Sequence, residues 1–168
     1  GRMFESTGLY EHSQVREISV EDGSLIRSHD LNDSFFGEGL TLIDDRILVL
    51  TWKAGLILEF ERDTFNQSNQ YNLEGEGWGM CSFEDRIMVS DGTNQLSILD
   101  PLTLEPTGSI QVRSNNSDIS NLNELECVGD KIYANQWMSP FMHVISANDG
   151  TLIATLDLST LPSGTSGD

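Results

Sequence analysis

The chain has 168 residues, enough to bury one ordinary core but not two independent catalytic domains. Hydrophobic residues at 38% and charged residues at 21% exclude both a disordered polyelectrolyte and an apolar membrane protein. Nine Lys and Arg against 27 Asp and Glu leave a net charge of −18, which repels phosphate backbones and anionic headgroups, so nucleic-acid and membrane partners drop out. The acidity otherwise reads as a solubility shell, suited to salty surroundings, or as a docking surface for cations.

In chain order, Gly1–Gly8 reads as a strand already under way, with no basic start, apolar stretch or cleavage site, so any secretion signal is expected upstream. A basic residue then introduces an apolar strand four times: Arg2-Met3-Phe4, Arg46-Ile47-Leu48-Val49-Leu50, Arg86-Ile87-Met88-Val89 and Lys131-Ile132-Tyr133-Ala134, at spacings of 44, 40 and 45. Downstream of each, a second strand (15–20, 56–60, 96–99 and 142–145) runs into a polar turn and a new apolar start. Those starts, at Leu25, Phe65, Leu104 and Leu152, are 40, 39 and 48 apart. The apolar runs Leu48–Leu50 and Leu56–Leu58 fall far short of the roughly 18 residues of a membrane helix. Cys81 and Cys127 sit in no CxxC and near no His, leaving two readings, small core residues or a single bridge. His12, His29 and His143 are scattered and give no anchor to a zinc or Ser-His-Asp site. Asn32, Asn66 and Asn115 head formal glycosylation sequons.

Two landmarks with the same period, several short strands per unit and no helical stripe predict an all-β chain, a β-propeller with about four blades' worth of sequence. Asp22-Gly23, Asp91-Gly92 and Asp149-Gly150 supply the tight hairpins. The propeller is expected over residues 1–161, the first blade opening part-way through, with 162–168 a polar tail.

Glu38, Glu76 and Glu124 recur ahead of the repeated strands, 38 and 48 apart, and are expected to converge on the central channel. The competing reading makes Gly75-Glu76-Gly77 a bulge whose carboxylate caps nearby amides. Trp52, Trp78 and Trp137 fall in three different repeats beside inner strands and predict an apolar pocket with indole N–H donors.

These residues carry a resemblance. Phe36-Gly37-Glu38-Gly39-Leu40-Thr41, Leu50-Thr51-Trp52, Gly75-Glu76-Gly77-Trp78-Gly79, Ser90-Asp91-Gly92-Thr93, Leu99-Asp100-Pro101, Leu122-Asn123-Glu124-Leu125-Glu126 and Ala134-Asn135-Gln136-Trp137 follow one another as in the plant-type glutaminyl-peptide cyclotransferases, from about residue 3 to 161. The resemblance implies a five-bladed propeller that converts the N-terminal glutamine of a peptide or protein to pyroglutamate, releasing ammonia without catalytic zinc or other cofactor. Calcium is known in some members, and no residue here is assigned to it. By the same resemblance Glu38 is the catalytic carboxylate, Asn123 holds the substrate, and Trp52, Trp78 and Trp137 line the pocket. A monomer acting in a secreted or periplasmic setting is implied.

The chemistry fits those residue types. The α-amine attacks its own side-chain amide, and the leaving nitrogen must gain a proton, so one desolvated carboxylate can serve both transfers. Asn123 or an indole can donate to the developing oxyanion, or Asn123 is a simple turn residue before Glu124. The family's Phe-Thr-Gln-Gly-Leu and Val-Thr-Gly-Lys segments, whose Gln and Lys belong to the site, do not occur in these 168 residues. Truncation at both ends is the expectation; the alternative is a non-catalytic propeller that binds peptide or protein.

Overall fold

A computed structural model describes residues 1–115 and 117–161; the expected tail at 162–168 lies outside them. Every regular element in the described residues is a β-strand. The first sheet has three strands, β1 (Met3–Thr7), β2 (Gln14–Ile18) and β3 (Leu25–Asp30). Three four-stranded sheets follow. They are β4 (Gly37–Ile43), β5 (Arg46–Thr51), β6 (Leu56–Glu61) and β7 (Gln67–Asn72); then β8 (Met80–Ser82), β9 (Ile87–Ser90), β10 (Gln95–Leu99) and β11 (Pro106–Gln111). After a short ribbon, β12 (Arg113–Ser114) with β13 (Ser117–Asp118), come β14 (Leu122–Val128), β15 (Lys131–Gln136), β16 (Phe141–Ser146) and β17 (Leu152–Asp157). Each sheet is an antiparallel meander whose innermost strand stands beside its neighbour's, β8 lying against both β4 and β14. This is the blade arrangement of a propeller.

The continuous apolar run of each second strand has a direct cause. Successive side chains of a strand point to opposite faces, and here both faces meet another blade. Ile47 and Val49 pack with Val15, Leu31 and Phe60 toward the first sheet, while Leu48 and Leu50 pack with Met80, Ile87 and Val89 toward the third. Met88 turns the other way again, into a core with Leu96, Leu122, Leu125, Ile132 and Ile145. Three inter-blade cores therefore replace a single central one.

The periodic basic residue also has a job. Arg2, Arg46 and Arg86 each donate to a backbone carbonyl in the following blade: Arg62 at 3.0 Å, Pro101 at 2.7 Å and Ala147 at 3.3 Å. Each guanidinium thus ties its blade to the next one. In the first pair the tie is reinforced by buried Glu17, which accepts from Arg2 at 2.7 Å and Arg27 at 2.6 Å. Those hydrogen bonds hold its carboxyl down at about 2.

The second landmark needs a correction of register. The equivalent turn residues are Gly23, Phe65, Leu104 and Gly150, each donating its amide to the residue four back. All four have positive φ, between 61° and 76°. Leu25 and Leu152 open their outer strands, but Phe65 and Leu104 sit inside the turn, before β7 and β11. A left-handed conformation costs a non-glycine residue about 1–2 kcal/mol. Burial offsets it, since Phe65 and Leu104 plug two of the inter-blade cores.

Cys81 of β8 and Cys127 of β14 form a disulfide, deciding between the two readings of these residues. It joins the inner strands of adjacent blades.

Candidate active site

All five residues singled out in the sequence meet in one pocket. Glu38, Trp52, Trp78, Asn123 and Trp137, with Phe36, line a cavity of about 320 Å³ where the strands of three blades end. That volume is at the lower end for a ligand pocket and suits a chain terminus rather than a folded segment.

Backbone bonds fix the frame. The Trp52 amide donates to the Phe36 carbonyl at 3.0 Å, the Gly39 amide to the Trp78 carbonyl at 2.8 Å, and the Trp137 amide to the Asn121 carbonyl at 2.8 Å. Gly79 lets the inner strands close together, because a Cβ there would collide with the Asn123 backbone. The Ser90 hydroxyl donates to the Asn123 carbonyl at 2.7 Å, so the strand is pinned while the Asn123 amide faces the pocket.

Pairing across the second strands shows which residues are equivalent between blades. Leu40, Met80 and Leu125 oppose Val49, Val89 and Ala134, which makes Glu38, Trp78 and Asn123 one register position in three blades. The expected glutamate triple is therefore not a structural repeat. Glu124 is offset by one residue and lines the channel with Glu5, Glu38 and Glu126. Glu76 lies in the loop before β8 and does not face the channel: its Oε2 accepts from Trp52 Nε1 at 2.8 Å and Trp78 Nε1 at 3.0 Å. Two of the three indole N–H groups expected to serve a substrate are thus already engaged. Carboxylate capping in the Gly-Glu-Gly segment does occur, with indoles in place of amides as the donors.

The tryptophans share a register only in part. Trp52 and Trp137 both stand six residues after their blade's basic residue, and Gly92 holds that position in the middle blade. A Cβ on Gly92 would lie 2.7 Å from the Trp78 ring, so the missing side chain is what admits that indole. Trp78 then meets Trp137 edge-on, with centroids 5.8 Å apart, and Phe36 meets Trp52 at 5.6 Å. Gly92→Ala, at φ +82° as well as against the ring, is expected to cost about 1–3 kcal/mol and to displace Trp78. Thermal melting and the near-UV circular dichroism of the indoles check both effects.

Electrostatics separate the two pocket carboxylates. Glu38 is half-buried among rings, and burial, aided by the nearby Glu76 charge, pushes its carboxyl up to about 7. Hydrogen bonds from Trp78 and Trp52 and the neighbouring Lys53 hold Glu76 below the usual carboxylate range. One carboxyl is poised to exchange a proton near neutrality while its neighbour stays anionic, a pattern typical of acid/base sites. Glu124 is also raised, by burial and by Glu38 and Glu126.

Phe36, and Tyr10 meeting it edge-on at 5.4 Å, were not singled out in the sequence. The Phe immediately before Gly-Glu-Gly was the only available signal. His143 is buried away from the pocket, its Nδ1 3.1 Å from the Thr155 hydroxyl. Among the described residues no group of three or more His, Cys, Asp or Glu is gathered as a metal site.

A family model described as glutamine cyclotransferase matches residues 1–168. A glutaminyl-peptide cyclotransferase of Arabidopsis thaliana is 32% identical over 163 residues, covering 96% of this chain and 51% of the plant protein. The chain thus spans about half the length of that relative. Glutaminyl cyclase from Myxococcus xanthus superposes with a TM-score of 0.88 at 31% identity, over 96% of this chain and 68% of the bacterial one. The WD40 domain of Neurospora crassa Pan2, at 15% identity, TM-score 0.63 and 94% coverage of this chain against 51% of its own, shares the propeller fold alone. With its blades, its register and its sequence all pointing the same way, this chain belongs to the glutamine cyclotransferase family.

Proposed function

We propose that the protein of which these residues form part is a glutaminyl-peptide cyclotransferase that closes N-terminal glutamine to pyroglutamate and releases ammonia. The observation that carries this is Glu38, a carboxyl raised to about 7 inside an aromatic pocket sized for one terminal residue. The free α-amine attacks the side-chain amide carbon and Glu38 takes the amine proton. It then delivers that proton to the departing nitrogen, so that it ends each turnover as it began. The indoles keep the glutamine side chain folded back on its own amine. The Asn123 amide donates to the amide oxygen as negative charge develops there.

No step in this scheme is assigned to a metal or cofactor, and the scheme takes residues 1–161 as one propeller domain, continued beyond both ends of this chain and acting as a monomer. The Cys81–Cys127 bridge supports a secreted or periplasmic setting, where disulfides persist. The test is ammonia release from a short peptide beginning with glutamine, by the chain carried to its natural ends, in the presence and absence of a strong chelator. Equal turnover in both is expected; loss with chelator would overturn the metal-free scheme. Saturable binding with no ammonia would establish instead the alternative, a propeller that holds such peptides without converting them.

A further inference from the structure

Two walls of the pocket, contributed by different blades, converge on one oxygen atom. Glu76 Oε2 accepts from Trp52 at 2.8 Å and from Trp78 at 3.0 Å, while its Oε1 stands 4.0 Å from Lys53 Nζ. That ammonium lies 4.0 Å from the centroid of the Trp52 ring, closing a frame of cation, indole, carboxylate and second indole. An indole N–H can only donate, so without an acceptor both are left unpaired at the pocket wall. The backbone is shaped for this placement. Gly75 takes φ +88°, and a Cβ on Gly77 would press to 3.0 Å on Leu50, Leu73 and the Thr51 carbonyl.

We infer that Glu76 is a positioning residue that locks Trp52 and Trp78 into one rigid wall and holds a permanent negative charge beside the pocket carboxylate, Glu38. The kinetic arm of this inference rests on the cyclotransferase reading; the spectroscopic arm does not. The charged groups around Glu38 are few and identifiable: Glu76 and Lys53 from the loops flanking the tryptophans, Glu124 and Glu126 from β14, and Glu5 from β1. Of these, Glu76 contributes the like charge that keeps Glu38 protonated to higher pH.

All three tryptophans of these 168 residues stand in this pocket, so their indole emission reports the site. In the unliganded protein, emission is expected to titrate near neutrality as Glu38 ionises. In Glu76→Gln the amide oxygen still accepts, so the near-UV dichroism and KM should hold within about twofold. The emission midpoint and the acid limb of kcat/KM should both move down by about half a pH unit, because a neighbouring negative charge is gone. Glu76→Ala should flatten the indole dichroism and raise KM about tenfold, with kcat changed less than threefold. Unchanged dichroism and KM in Glu76→Ala would overturn the positioning role, and an unmoved midpoint in Glu76→Gln would overturn the electrostatic one. Should Glu76→Ala fail to fold, the charge-neutral Gln variant and its midpoint decide. The emission titration needs no turnover, so a wild type that releases no ammonia sinks the cyclotransferase reading and leaves this inference to be judged on its own.

Discussion

Glu38→Gln is expected to reduce ammonia release from a glutamine peptide by about a thousandfold while leaving the fold intact, since positioned proton transfer contributes about 10²–10⁴ in rate. Glutamine keeps the shape of the side chain and removes its ability to take the amine proton and return it to the leaving group. In the wild type, kcat/KM should rise as pH increases through about 7, where Glu38 loses its proton and becomes a base. The sign for stability is opposite. A carboxyl whose folded value lies above its ordinary 4.5 favours the folded state below that ordinary value, and this contribution is lost as pH rises through about 7. At pH 8 Glu38→Gln should therefore melt higher than the wild type, by about 1–2 kcal/mol of stability. Initial rates and melting temperatures across pH 5–9 test both; normal turnover in the variant would remove Glu38 from the mechanism.

Loss of the Cys81–Cys127 bridge is expected to have the largest effect on stability. It closes a loop of 46 residues, for which chain entropy gives about 4 kcal/mol, much of what a domain of this size holds in reserve. Replacing both cysteines by alanine should lower the melting temperature by ten degrees or more, roughly as the size scaling predicts, and should abolish any effect of reductant. The bridge also lies under the site. Cys81 follows Gly79 by two residues and Cys127 follows Asn123 by four, so reduction should loosen Asn123 against Trp78. KM should rise in reductant below the temperature of unfolding. A melting curve indifferent to reductant would rule the bridge out as a determinant of stability.

The blades were legible because a strand pressed between two others must be apolar on both sides, and that demand recurs each time the chain returns. The pocket tryptophans were legible for a related reason: large rings from three different repeats, each beside an inner strand, end up in one pocket. Counting along the chain could not say which side chains share a face. Glu38, Glu76 and Glu124 keep a fair spacing, yet the ladder is irregular between Gly37 and Leu40 and between Leu122 and Leu125. A glycine turn before β8 sends Glu76 to the indoles, while Glu38 and Glu124, one register position apart, both reach the channel and only Glu38 also lines the aromatic pocket. The disulfide was undecided for a further reason: whether two cysteines 46 residues apart approach depends on two inner strands being neighbours. Phe36 and Tyr10 were not assigned to the site because an aromatic that recurs in no other repeat looks the same whether it faces a pocket or a core.

The shared position of Glu38, Trp78 and Asn123 means that each blade offers one address at the same height and heading toward a common centre. At that address one blade carries an acid, the next a ring and the third an amide. Chemistry in such a scaffold can be rewritten one letter per blade, without touching the strands that carry it, and a chain built by copying a single unit could have acquired three unlike tools by changing one residue in each copy.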